Sequence, residues 1–114
     1  MHIREIMPAV ALRGLTIMPD MIIHFDVSRD RSIRAVENAM AQDQRIFLVT
    51  QRKIETEVPG TEDVHHVGCV AIVKQVTKMP DNLVRVLVEG KDRAVLHGFL
   101  EEKKEYLLAE VEKC

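Results

Sequence analysis

Tryptophan is absent, and Phe25, Phe47, Phe99 and Tyr106 are the only aromatic residues in 114. A surface that stacks nucleic-acid bases needs such rings beside cationic side chains. With a formal charge of −2 the chain also has no general attraction to phosphate. Cysteine is nearly as scarce. Cys69 falls in an apolar run and Cys114 is the last residue, which is poor material for a disulfide framework and fits a reducing compartment. No apolar run approaches the roughly 20 residues needed to cross a bilayer. The start of the chain lacks a basic stretch followed by an apolar segment and a cleavage site, so a cytoplasmic location without membrane contact is expected. The five glycines, at 14, 60, 68, 90 and 98, are dispersed, and no lysine before serine or threonine accompanies them as in a phosphate-binding loop.

The sequence does hold 46% hydrophobic and 30% charged residues, the balance of a globular protein with one core. Its organising stretch is Val67–Gly90, two runs rich in β-branched residues around Met79-Pro80-Asp81-Asn82. In the second run Val84, Val86 and Val88 alternate with Leu83, Arg85, Leu87 and Glu89, as in a half-buried strand. In the first, Val70, Ile72 and Val76 are expected on one face and the smaller row Cys69, Ala71 and Val73 on the other. Proline presets φ in the turn, and Asp81 and Asn82 tolerate left-handed backbone. A long β-hairpin follows, and a hairpin alone is marginal in water, so other elements must cover it.

The rest of the chain supplies those elements. Ile6–Leu12 reads as a first strand, with Pro8 placing it at an edge or making it irregular. The connection over 15–20 is unusually apolar, and Met21–Val27 alternates as a second strand. Ser28 or Asp30 is expected to cap the next helix, whose stripe is Ile33, Val36, Ala39 and Met40. The stretch Arg45–Thr50 is apolar on both faces and predicts a central strand. An acid-rich loop with Glu55, Glu57, Glu62 and Asp63 spans 51–66. Gly90 is expected to end the hairpin, with a further strand over Arg93–Leu100, a charged turn over Glu101–Glu105, and a last strand over Tyr106–Cys114. The expected fold is α+β, mostly β: a small barrel of six or seven strands with one amphipathic helix.

Residues able to do chemistry are sparse. His65, His66 and Cys69 lie near each other, but three candidate ligands with two adjacent make a weak zinc pattern. Ser28 and Ser32 are explained by helix entry, and a buried Cys69 is inert. The loop carboxylates lack the spacing of a calcium loop. No catalytic residue, metal site or cofactor site is assigned to the chain itself. The unusual feature is methionine, six in all. Met18-Pro19, the nearby Met21, and Met79-Pro80 place bulky apolar groups in turns, which usually lie at the surface. Methionine adapts to many partner shapes, so Met18, Pro19, Met21, Met79 and Pro80 are the candidate substrate-binding residues. The opposing reading is that both turns fold down and cap the core.

Several stretches resemble the amino-terminal domain of the Lon ATP-dependent proteases. They are Leu12-Arg13-Gly14 with Pro19 and Met21, the helix from Arg29 to Met40 with Ser32, Phe47-Leu48-Val49 with Gln51, Val67-Gly68, and Leu87-Val88-Glu89-Gly90 with Arg93-Ala94. Asn82 stands where a glycine is common, Ile17-Met18 replaces a pair containing an aromatic residue, and Lys91-Asp92 is more polar than usual. The resemblance implies a barrel of the pseudouridine-synthase-and-archaeosine-transglycosylase (PUA-like) type and a fragment of a longer protein. That parent would carry an ATPase module, using ATP and Mg, and a protease domain with a Ser-Lys dyad, and would form a homohexameric ring. The part in hand would recognise and tether damaged, unfolded or short-lived regulatory proteins and aid ring assembly. Two alternatives are a stand-alone Lon-like module binding a ligand or degron, favoured by a deep pocket with convergent polar groups, and a weaker one, an RNA-binding barrel.

Overall fold

The hairpin is the longest feature of the sheet. A computed structural model describes residues 3–100 and 105–114 and gives β1 (Arg4–Leu12), β2 (Ile22–Val27), α1 (Asp30–Ala41), β3 (Arg45–Thr50), β4 (Val67–Lys78), β5 (Val84–Phe99) and β6 (Leu107–Lys113), with a 3-10 turn at Thr61–Asp63. The six strands run in the order β2-β5-β4-β3-β1-β6, and β6 also pairs with β5. The ladder therefore closes through β5-β4-β3-β1-β6, while β2 lies outside this ring on β5 alone. This is the expected β-rich α+β fold, a closed ring of strands rather than a regular barrel. The β1–β3 pair is parallel, and the crossover between them contains β2 and α1, as a parallel connection requires.

Two corrections to the sequence reading concern β5. Gly90 does not end the hairpin, and no separate strand begins at Arg93, because one strand spans Val84–Phe99. Its first part, Val84–Glu89, pairs with β2, and its second part, from Ala94 on, pairs with β6. Gly90 lies between them and stays in the ladder: its amide donates to Met21 O at 2.8 Å and its carbonyl accepts from Asp20 N at 2.9 Å. A missing side chain had looked like a missing strand. The faces of β4 also differ from parity. A register irregularity between Val73 and Gln75 inserts one residue, which places Val76 with Val73 against the same cluster, whereas Val70 joins the other. A bulge of this kind shifts every later side chain to the opposite face.

The residues pack in two clusters. One joins ring strands β1, β3, β4, β5 and β6, with Phe47, Val49, Val70, Leu96 and Val111 among its members. The other fills the space under α1 and β2, with Ile17, Phe25, Val36, Ile46 and Val86. Both faces of β1 and β3 are therefore buried. The central position expected for Arg45–Thr50 is correct, and the edge position suggested for β1 by Pro8 is not. Pro8 pairs opposite Leu108 of β6, one residue before the β1–β3 register starts at Ala9, so no bond of that parallel ladder is asked of it.

The helix enters through Arg29, with no side-chain cap. Neither Ser28 nor Asp30 caps it, and Asp30 instead places its carboxylate in the first turn, where the helix dipole favours negative charge. The buried face is Ser32, Ala35, Val36 and Ala39, with Ile33 and Met40 at its margins. Small residues on that face let the helix sit close to the sheet. In the acid-rich loop Glu55, Glu57 and Glu62 are exposed, yet Gln51, Pro59 and Val64 are buried, so both ends of the loop are anchored. The charged turn expected at Glu101–Glu105 lies, apart from Glu105, outside the described residues.

Candidate functional site

Local backbone chemistry sets how the first methionine turn is held. Ile17 is buried at 5% exposure and anchors the connection in the core under α1. The chain then folds back so that Met21 N–H donates to Met18 O at 3.2 Å, and Met18 N–H faces the Met21 sulfur at 3.2 Å. The whole turn rests on Gly90. A Cβ there would overlap the Met18 carbonyl and lie 3.2 Å from Cys69 Sγ. Held this way, Met18 is 45% exposed, while Pro19 and Met21 are half-buried. Next to it, Ile22 is 68% exposed on the outward phase of β2, and Val67, 42% exposed, shares a groove with Met18, Pro19 and Arg93.

The second turn is built differently. Asp81 and Asn82 adopt φ of 64° and 60°, the left-handed pair expected of a tight hairpin, and Met79 N donates to Leu83 O at 2.8 Å. Asn82 thus supplies the conformation for which a glycine is common. Pro80 is exposed and Met79 half-buried, and Leu83 is 36% exposed. Met79 and Leu83 line one side of an open cleft of about 440 Å³, with Ile33 and Asp30 of α1 on the other side.

The five candidate residues therefore do not form one surface. In the β2–β5 register Met21 sits beyond the Ile22–Glu89 pair and Met79 beyond the Val27–Val84 pair, roughly 20 Å apart at the usual rise of a strand. Met18, Pro19 and Met21 come together at one end of β2, and Met79 and Pro80 at the other. Neither turn is sealed in the core. Sequence reasoning missed Ile22, Val67, Leu83 and Ile33 beside them. The outward phase of Ile22 and Leu83 in their alternating runs was a usable signal, whereas nothing local marks Val67 and Ile33.

Charges frame the strip between the turns. Asp26 accepts from Arg85 Nε at 2.9 Å and from its terminal nitrogen at 3.3 Å, and this bond holds the Asp26 carboxyl below its usual range. Glu89 lies between Lys74 at 3.1 Å and Lys91 at 3.0 Å, which lowers its proton affinity in the same way. These exposed pairs orient side chains and contribute little to stability. The structure does not bring the suggested zinc ligands together: His65 and His66 are exposed, whereas Cys69 is buried with its sulfur near Val70 O at 3.4 Å. Among the described residues no cluster of three or more metal-binding side chains occurs, and no helix is long and apolar enough to cross a membrane.

Comparison with known proteins fits this geometry. The family model described as the ATP-dependent protease La (LON) substrate-binding domain matches residues 6–114. The Lon protease of Desulforamulus reducens is 45% identical over 107 residues, covering 94% of this chain and 13% of that protein. The Lon protease of Lachnoclostridium phytofermentans is 47% identical over 105 residues, covering 92% of this chain and 13% of that protein. The chain thus spans a small part of the length of these relatives. Among solved structures, the N-terminal domain of Mycobacterium avium complex Lon protease superposes with a TM-score of 0.75 at 18% identity, over 96% of this chain and 55% of that one. A Lon N-terminal domain protein from Xanthomonas campestris gives 0.70 at 15% identity, over 96% and 60%. The fold is shared with both, and through the match over 6–114 the chain belongs to the family of Lon substrate-binding domains.

Proposed function

We propose that this domain is the substrate-recognition and tethering part of a longer ATP-dependent serine endopeptidase, and that its two apolar turns catch exposed hydrophobic stretches of damaged, unfolded or short-lived regulatory proteins. In this reading the parent supplies the ATPase module with ATP and Mg and the Ser-Lys dyad, works in the cytoplasm, and forms a homohexameric ring that this domain helps to assemble. The observation that carries the reading is the exposure of Met18 at 45%, on a turn fixed by backbone hydrogen bonds, and of Ile22 at 68% at the adjoining start of β2, so that both are presented ready for contact. Covering a few hundred Å² of apolar surface at about 25 cal/mol/Å² yields several kcal/mol gross, most of it offset by association and ordering. Weak single contacts suit a binder that must release its cargo, and several copies in a ring restore avidity.

The test treats the two surfaces separately. Met18→Glu with Ile22→Glu alters one, and Met79→Glu with Leu83→Glu alters the other, each checked for an unchanged fold by its amide spectrum. Titration with a permanently unfolded protein is then followed by line broadening in the native chain and both variants. Each pair is expected to lose the broadening around its own turn. Unchanged binding by both folded variants would rule out the apolar turns as the recognition surface.

A further inference from the structure

A cleft of about 220 Å³ opens between the end of β1, the end of β2 and the start of α1; neither Met18 nor Met79 lines it, and Ser28 separates it from the Met79 cleft. Its floor is apolar, with Leu12, Leu15 and Phe25, and its rim carries Arg13, Arg29 and Ser32. Arg13 donates to the backbone oxygen of Thr56 at 3.3 Å, and Arg29 donates to Gln51 Oε1. Among the described residues, neither guanidinium lies within ion-pair distance of a carboxylate, although each has donors left over. Gln51, itself 3% exposed, fixes this corner by donating to Lys53 O at 2.9 Å and Thr56 O at 3.0 Å.

Three further facts point to an anion here. First, the helix begins without a side-chain cap, and its first internal bond is Ile33 N to Arg29 O at 3.0 Å, so the preceding amides of the first turn are free. Second, Ser32 is 8% exposed and lines the cleft, and its hydroxyl, which has no hydrogen-bond partner among the described residues, is open to a ligand there. Third, burial and then the like charge of Arg13 weaken the hold of Arg29 on its proton, with Glu57 acting in the opposite sense, which places the two cations in each other's field. Asp26 also borders the cleft, but its carboxylate is engaged by Arg85.

We propose that this cleft binds the C-terminal residue of a protein chain, with the α-carboxylate held by Arg13, Arg29, Ser32 and the free amides of α1, and an aliphatic side chain on the Leu12, Leu15 and Phe25 floor. The joining of a positive rim to an apolar floor selects this occupant. A bare phosphate leaves the floor unused, and an internal segment needs two neighbouring residues, one acidic and one aliphatic, to supply what a single chain-terminal residue carries. The inference rests on the reading that the domain binds protein substrates, and adds a second, end-specific contact to the apolar turns.

The test uses the 114-residue chain and a short peptide ending in leucine, prepared once with a free carboxylate and once as the C-terminal amide. The acid is expected to shift the amide signals of Arg31, Ser32 and Arg13 and to bind roughly tenfold more tightly than the amide, because a charge-assisted contact is lost with the carboxylate. Arg13→Gln, which removes a largely exposed side chain, is expected to weaken acid binding several-fold and to leave amide binding unchanged. Equal binding of acid and amide, or shifts confined to the Met18 and Met79 turns, overturns the proposal. Equal affinity for acetate and the peptide overturns the chain-end assignment in favour of a small free carboxylate. An unfolded protein with a blocked C-terminus separates the two failures: if it still broadens signals at the turns, end recognition alone has failed, and if it too fails to bind, both readings fall.

Discussion

Gly90 and Met18 fit together only because one of them has no side chain. Replacing Gly90 with alanine drives a methyl into the Met18 carbonyl, with Cys69 behind it. The expected cost is about 1–3 kcal/mol or more, as for overpacking elsewhere, read as a lower urea midpoint, with the largest amide shifts over 18–21. Gly68 is similarly constrained, since a Cβ would lie 2.5 Å from Leu48 O and 2.6 Å from Phe47 Cζ. Cys69 allows a different test. Burial, chiefly, pushes its thiol pKa above the ordinary range. Because the folded state favours the protonated form, stability is complete below the ordinary thiol value and declines as pH rises above it. In the folded protein at mildly alkaline pH an alkylating reagent should modify only the exposed Cys114, with Cys69 reacting after unfolding, as mass spectrometry would show. At this scale the sequence was partly legible. The alternation read over Met21–Val27 is present in β2, with Phe25 and Val27 buried and Ile22 outward, but the exposure of Met18 depends on a carbonyl resting against Gly90 some 70 residues later in the chain, which no local pattern encodes.

Elements were more legible than their joints. The hairpin and the helix follow from periodicity because each buries a face whose spacing matches its own geometry, and the strand Arg45–Thr50 follows from a short run apolar on both faces. Periodicity could not register the bulge in β4 or the handover in β5, since both preserve the chain while changing which partner or face it meets. The cross-strand pair Asp26 and Arg85, directly opposite in the β2–β5 register, gives the prediction at this level. Its hydrogen bond holds the Asp26 carboxyl below the usual range, so the pair contributes above the unfolded-state value and is lost as pH falls through the lower folded one. Asp26→Asn should therefore lower the urea midpoint slightly at neutral pH, and the gap should close as pH falls through the range in which the folded-state Asp26 carboxyl takes up its proton. A gap that persists in acid would indicate packing rather than charge. The arginine cleft was illegible for a related reason: Arg13, Arg29 and Ser32 reach it from segments distant in the chain, and no spacing within one segment joins them.

At the scale of the whole molecule, ring closure decides how the domain behaves. The last strand, β6, completes the ring by pairing with β1 on one side and β5 on the other. No strand of the ring can leave without opening a neighbour's ladder. The two clusters share β1, β3, β4 and β5: successive residues of β1 and β3 belong alternately to one and the other, and β5 gives its first half to one and its second half to the other. Heat therefore has no stepwise route that empties one compartment and spares its neighbour. Calorimetry should show a single endotherm whose measured enthalpy equals the van't Hoff value, and two resolved peaks would contradict it. The same splice has a consequence for the proposed role. A turn seated on the shared strand cannot slacken by itself, so a protein held there, as proposed, and then tugged away would meet a footing that either holds entire or gives way at once.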